Sequence, residues 1–103
     1  MNKKPNKETI NKLKNIKMII SDVDGVLTDG RIYLSEAREE MKVFYAKDAP
    51  RTAIAKRSGI KVIWLTARKS QATIKRAKEL GVQLIFKQDL KERNIKLREF
   101  IKN

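Results

Sequence analysis

The sequence feature that most constrains the fold is a short apolar run that ends in two closely spaced acids. Residues 16–20 have the composition and length of a buried strand, and Ser21 separates them from Asp22 and Asp24. Acids directly after a buried strand lie in the crevice at its carboxyl end, where open α/β sheets bind ligands. Neighbouring carboxylates repel each other unless a cation or a shared proton relieves them, and oxygen ligands favour magnesium. The pattern therefore predicts a magnesium site made by these two aspartates.

Two other interpretations of the acidic segment were weighed. A calcium-binding loop would need a third oxygen ligand where Val26 stands, and a glutamate further along that the sequence lacks. A plain acidic turn stays open from the pattern alone, because aspartate and glycine are common in turns.

Strand-like and helix-like segments alternate along the chain. In order, we predict a helix at 6–15 capped by Asn6, a strand at 17–21, a β-hairpin at 31–34 and 41–45, a helix from the N-cap Asp48 to Gly59, a strand at 60–65, a helix from the N-cap Ser70 to Gly81, a strand at 82–86, and a last helix that opens on a capping box of Asp89 and Glu92. This order implies right-handed crossovers and a parallel sheet covered on both faces. The predicted fold class is α/β: a small Rossmann-like three-layer sandwich with a mainly parallel sheet and a projecting β-hairpin.

Composition limits the organisation of the chain. Its 103 residues are expected to form one domain (1–103), with a basic N-terminal segment at 1–15 and a hairpin flap at 30–46. The lack of cysteine fits a reducing cytoplasm, and no apolar run approaches the roughly 20 residues of a membrane span. The net charge of +13 favours anionic partners, but the lysines are spread along the whole chain.

The string DVDGVLTDGRIY at residues 22–33 closely resembles the first motif of the haloacid dehalogenase phosphatases. Within that family it is most similar to the small capless branch typified by 3-deoxy-D-manno-octulosonate 8-phosphate phosphatase. The resemblance extends from about residue 10 to residue 86. It implies a magnesium-dependent phosphomonoester hydrolase that acts through an aspartyl-phosphate intermediate, on a small phosphorylated sugar acid such as 3-deoxy-D-manno-octulosonate 8-phosphate. It also implies a homo-oligomer, with a tetramer favoured, built partly through the hairpin.

The resemblance assigns roles to the first motif. Asp22 would be the nucleophile, and Asp24 would protonate the leaving alkoxide and then activate the hydrolytic water. Magnesium would bind the Asp22 carboxylate and the Asp24 backbone carbonyl. Amide groups of the loop at 23–25, including that of Gly25, would hold phosphate oxygens of the substrate.

Five further residues are candidates for the site. Thr66 matches the second motif, whose hydroxyl bonds the transferring phosphoryl group, although a threonine that only caps a turn is the alternative. Arg68 could bind substrate anions bidentately. Asp48 stands where the family carries Arg-Asp-Gly and is a helix cap, a substrate-binding residue, or both. The third motif needs a lysine, for which Lys87 and Lys91 are candidates and Lys91 is the better placed.

The family's fourth motif, which supplies the remaining metal carboxylate, has no counterpart before the sequence ends. We therefore consider Asp89, Asp29 or a partner subunit as substitutes, and a truncated chain as another explanation. The first strand would then have an exposed edge. The main alternative function is a degenerate, non-catalytic phosphate-binding or oligomeric interaction module. Nucleic-acid binding is unlikely, since it rests on net charge only.

Overall fold

The computed structural model describes residues 4–92 and 96–102. Its elements are, in chain order, α1 (Lys7–Lys14), β1 (Met18–Ser21), β2 (Tyr33–Leu34), β3 (Glu40–Met41), α2 (Asp48–Arg57), β4 (Lys61–Thr66), α3 (Gln71–Leu80), β5 (Gln83–Phe86), α4 (Lys87–Glu92) and α5 (Leu97–Lys102). The mixture of helices with a parallel sheet confirms the predicted α/β class.

Three strands form the main sheet, in the order β1-β4-β5, and both pairings are parallel. Because β1 lies at the edge of this described sheet, Ile19 and Ile20 keep 42% and 41% of their surface exposed. The prediction of a buried first strand is therefore wrong, and the expectation of an exposed edge is confirmed. An edge strand lacks the neighbour that would cover its side chains and pair its outer backbone groups.

One cluster of the core joins side chains of β4 and α3, and Ile63 and Ile85 are buried as well. Val23, Trp64 and Ala77 are buried as one cluster, and Phe44 stacks on Trp64 with ring centroids 6.0 Å apart. Other apolar side chains packed against this cluster are Leu27, Val62, Leu80, Val82 and Leu84. Val23 lies between the two motif aspartates, so burial of its side chain anchors the acidic loop to the core.

The predicted hairpin is present but shorter than expected. Tyr33 pairs with Met41 and Leu34 with Glu40 in antiparallel register. Its turn contains no glycine, and Arg38 adopts a φ of 60°, a backbone conformation that is costly for a residue with a side chain. A turn of this kind is consistent with a hairpin whose two strands pair over only two residues each.

Helix ends follow the predictions only in part. Asn6 caps α1 as predicted, since its Oδ1 accepts a hydrogen bond from Thr9 N at 2.8 Å. Asp48 is the first residue of α2 rather than its cap, and Lys47 occupies the N-cap position. Ser70 occupies the N-cap of α3 but makes no capping hydrogen bond; its hydroxyl is buried without a partner among the described residues.

The last predicted helix is divided into two short helices. Because α4 begins at Lys87, directly after β5, Asp89 lies inside its first turn, and the predicted capping box is wrong. The segment between α4 and α5, at 93–95, lies outside the described residues. The carboxylate of Asp89 instead lies 3.8 Å from the ammonium of Lys69.

Gly81 ends α3 as predicted, with a left-handed φ of +65°. A Cβ there would lie 2.5 Å from Lys56 Nζ, which donates to the Gly81 carbonyl at 2.8 Å. We expect Gly81→Ala to lower the free energy of unfolding by about 1–2 kcal/mol, because a side chain disfavours this conformation. Urea denaturation would measure the change. Gly59→Ala is the control, with a φ of +85° and open space; an equal loss in both variants would show that the Lys56 contact contributes nothing.

Candidate active site

The predicted nucleophile and the second-motif threonine lie at the same edge of the sheet. Asp22 directly follows β1, and Thr66 is the last residue of β4. The two strands are parallel neighbours in which Ser21 pairs with Trp64. The carboxyl ends of both strands therefore meet here, with Asp22 exposed and Thr66 only 1% exposed.

The loop after β1 is folded around a single backbone carbonyl. Val23 O accepts hydrogen bonds from the amides of Val26, Leu27 and Thr28, at 3.2, 2.9 and 3.3 Å. Since the Val23 side chain is fully buried, this turn is fixed to the core on one side. The acidic residues on either side of Val23 are thereby held at the carboxyl end of β1.

Thr28 holds the other end of this loop, a role that the sequence reasoning missed. Its Oγ1 accepts hydrogen bonds from Gly25 N and Gly30 N, both at 3.1 Å, and the residue is 4% exposed. Both glycines have positive φ, at +82° and +81°. A threonine between two glycines in the motif was the available signal for such a clamp.

The proposed phosphate-binding amides are partly engaged within the protein. Val23 N donates to Asp22 Oδ1 at 2.8 Å, which orients that carboxylate, and Gly25 N donates to Thr28 Oγ1. A phosphate oxygen would have to share or replace these acceptors, since each N–H is one donor. The structure therefore does not present residues 23–25 as a set of free amides.

Asp24 is held by a buried lysine that the sequence reasoning also missed. Lys42 Nζ lies 2.7 Å from Asp24 Oδ1 and donates to Thr73 Oγ1 at 3.3 Å. The Lys42 side chain is fully buried, whereas that of Asp24 is 34% exposed. The Asp24 side chain is therefore partly exposed, with one carboxylate oxygen already bound.

Arg68 is bound to the hairpin by Glu40. Arg68 Nε donates to Glu40 Oε1 at 3.1 Å, and its Nη2 contacts the same oxygen. This hydrogen bond holds the pKa of the Glu40 carboxyl below its ordinary value, and the same pair raises the pKa of Arg68. The ion pair connects β3 to the loop after β4.

Two other predicted site residues, Asp48 and Lys91, lie on helices α2 and α4. Asp48 is half-buried at the start of α2, where it lines a cavity of about 210 Å³ together with Ser21 and Trp64. Lys91 is exposed on α4.

The acids considered for completing a metal shell make contacts elsewhere. Asp29 is exposed and its Oδ1 accepts from Arg31 N at 2.9 Å, while Asp89 faces Lys69. Among residues 4–92 and 96–102, no three Asp, Glu, His or Cys side chains lie together as a metal-binding group.

A groove of about 610 Å³ runs between the hairpin and the start of α3. Its lining includes the cations Arg38, Lys69 and Lys75, with Glu39 and Glu40 on the hairpin side. Cations among the lining side chains would favour an anionic ligand.

Comparison with known proteins shows what this arrangement resembles. No family model matches the chain. The chain is 38% identical over 79 residues to the 3-deoxy-D-manno-octulosonate 8-phosphate phosphatase KdsC of Escherichia coli (strain K12), an alignment that covers 77% of this chain and 42% of the relative. A HAD superfamily (subfamily III A) hydrolase structure from Legionella pneumophila superimposes with a TM-score of 0.72 at 32% identity, over 79% of this chain and 45% of that one.

In sequence and fold, the chain resembles haloacid dehalogenase-like phosphatases. Another similar structure, 3-deoxy-D-manno-octulosonate 8-phosphate phosphatase from Moraxella catarrhalis in complex with magnesium, phosphate and KDO, has a TM-score of 0.73 and 37% identity, over 87% of this chain and 57% of that one. The predicted resemblance to a haloacid dehalogenase-like phosphatase is confirmed. The chain spans about half the length of these relatives.

No helix in the described part of the chain is both long and apolar enough to cross a membrane.

Proposed function

We propose that this chain is a magnesium-dependent phosphomonoester hydrolase acting on a small phosphorylated sugar acid, with 3-deoxy-D-manno-octulosonate 8-phosphate as the first substrate to test. The observation that carries the proposal is the shared sheet edge of Asp22 and Thr66, with Asp24 two residues further and held by Lys42. The names of the relatives supply the substrate class.

The proposed reaction has two steps at Asp22. Its carboxylate attacks phosphorus and the ester P–O bond breaks, while Asp24 gives a proton to the departing alkoxide. Asp24 then takes a proton from water as the water attacks the aspartyl-phosphate, which releases inorganic phosphate and restores Asp22. The hydroxyl of Thr66 would donate a hydrogen bond to the transferring phosphoryl group.

The acidic loop fits magnesium chemically. Magnesium is held by one or two carboxylates together with substrate phosphate and waters, so it does not need a cage of several acids. The Asp22 carboxylate and the Asp24 backbone carbonyl would hold the ion. When bound, it would neutralise charge between the carboxylates and the phosphate.

Arg68 and the basic groove would receive the remaining anionic part of the substrate. A sugar acid carries a carboxylate, and a guanidinium binds such a group with two parallel hydrogen bonds. Gly25, Asp48 and Lys91 are retained as the further proposed site residues, with Lys91 stabilising phosphoryl charge.

Association of several copies is part of the proposal. The hairpin exposes Tyr33, Leu34, Met41 and Tyr45, whose exposed fractions are 46%, 63%, 67% and 67%. An apolar patch of this kind favours a protein partner, and a homo-oligomer, with a tetramer favoured, would cover it.

A single domain working in the cytoplasm is consistent with the cysteine-free sequence.

The experiment that tests the function is direct. The protein is incubated with 3-deoxy-D-manno-octulosonate 8-phosphate and magnesium, and inorganic phosphate is measured with and without a chelator. Release that depends on magnesium is the expected result, and its absence at high protein concentration would reject the hydrolase.

A non-catalytic phosphate-binding module is the second candidate, favoured by the absence of a three-acid metal group from the described residues. It predicts magnesium-dependent binding of inorganic phosphate, measurable by calorimetry, without release of phosphate from any ester. Detectable turnover would exclude it.

We expect Glu40→Gln to lower the KM of a substrate that carries a carboxylate by about 3- to 10-fold, because Arg68 is then free from its anionic partner. Steady-state kinetics would measure this change. An aryl phosphate without a carboxylate is the matched substrate, for which KM should not change. A parallel fall for both substrates would contradict a role of Arg68 in binding the carboxylate.

A further inference from the structure

Lys42 has a fully buried side chain that forms an ion pair, which is unusual for a lysine. Burying a cation is costly unless an opposite charge and hydrogen bonds compensate for the lost water. Asp24 Oδ1 at 2.7 Å supplies the charge, and Thr73 Oγ1 at 3.3 Å supplies a second acceptor.

The three groups come from separate parts of the fold. Asp24 lies in the loop after β1, Lys42 directly follows β3, and Thr73, with 0% exposure, lies in the first turn of α3. The ammonium therefore joins the acidic loop, the hairpin and a helix, and its own position is set by packing on every side. Because the Lys42 ammonium is itself held in place, the Asp24 carboxylate that it binds is held as well.

We propose that Lys42 is a positioning residue that holds the Asp24 carboxylate in one orientation, so that the oxygen not bound by Lys42 serves the leaving group. This inference rests on the proposed function, in which Asp24 protonates the departing alkoxide. Lys42 itself would touch neither the substrate nor the reacting atoms.

Substrates with different leaving groups can show whether Lys42 positions Asp24 or only stabilises the fold. An alkoxide needs a proton as its bond to phosphorus breaks, whereas 4-nitrophenolate is stable enough to leave without one. Since kcat/KM reports the steps through the first phosphoryl transfer, it registers loss of the general acid only for the alkyl ester.

The test compares Lys42→Met with the unaltered protein on two substrates. We expect kcat/KM for 3-deoxy-D-manno-octulosonate 8-phosphate to fall about 100-fold, and that for 4-nitrophenyl phosphate to fall less than about 5-fold. Thr73→Val, which keeps the lysine but removes its second acceptor, should give a smaller loss in the same selective direction. Equal losses for both substrates would overturn the inference.

A measurement without turnover keeps the two proposals separate. The carboxyl carbon of Asp24 can be observed by NMR in protein labelled at aspartate and assigned with Asp24→Asn. We expect Thr73→Val and Lys42→Met each to shift this resonance. An unchanged resonance in both variants would overturn the role of Lys42, whether or not phosphate is released; absence of phosphate release alone would reject the hydrolase.

Discussion

Asp22→Asn is expected to abolish phosphate release, with kcat falling on the order of 10⁴-fold or more. The amide oxygen of asparagine is a poor nucleophile and cannot form the aspartyl-phosphate. The side chain would still fit its place, because its oxygen can accept the hydrogen bond that Val23 N now donates to Asp22 Oδ1. Release of inorganic phosphate in the presence of magnesium is the measurement.

The matched control is Glu8→Gln, which removes one negative charge from an exposed position on α1. It should leave phosphate release unchanged. If Asp22→Asn retained the activity of this control, Asp22 would not be the nucleophile and the proposed reaction would be wrong.

Trp64→Ala is expected to lower the free energy of unfolding by about 3–5 kcal/mol, the usual cost of removing a buried aromatic side chain. Trp64 is 2% exposed and packs in one cluster with Val23 and Ala77, and Phe44 stacks on its ring. A chain of this size has a total stability of about 5–15 kcal/mol, so the loss is a large fraction of it. Urea denaturation measures the change.

Ile54→Ala is the control for that variant, because Ile54 is a large apolar residue on α2 that is 61% exposed. Its effect should stay within about 0.5 kcal/mol. Similar losses in both variants would show that the cluster around Trp64 does not dominate stability.

Trp64→Ala should also disturb the geometry of the candidate site. Trp64 precedes Thr66 by two residues on β4, and its side chain supports Val23 between the two aspartates.

Local signals were sufficient for much of the fold. Strand-sized apolar runs correctly placed β1, β4 and β5, and the short polar and glycine signals at Asn6 and Gly81 marked helix ends that the structure confirms. These signals depend on groups only a few residues apart, so the sequence contains both partners of each contact.

The capping signals at Asp48 and Asp89 were wrong because a cap depends on where the helix begins, and the adjoining segment set the first turn in both cases. Ser70 does occupy the predicted N-cap position of α3, but its side chain makes no capping hydrogen bond. For Asp89, α4 follows β5 without a connecting loop, which left no room for a separate cap.

The hairpin shows most clearly what periodicity could not settle. Alternation in residues 41–45 predicted a strand, but only Met41 of this range lies in β3, and Phe44 forms an isolated bridge to Thr28. Met41, Val43 and Tyr45 are exposed, whereas Lys42 is buried and Phe44 packs on the core. A period of two separates the faces of a strand without saying which face lies inward. The choice was made by partners far along the chain: Asp24, Trp64 and Thr73.

Local periodicity and the rules of parallel sheets were enough to predict the order of the strands and to place Asp22 and Thr66 at strand ends. The ion pairs of Lys42 with Asp24 and of Arg68 with Glu40 join residues 18 and 28 positions apart, and they could be identified only in the folded chain. Ion pairs between distant residues depend on how the hairpin packs against the sheet and α3. No local pattern of charge or hydropathy specifies that packing.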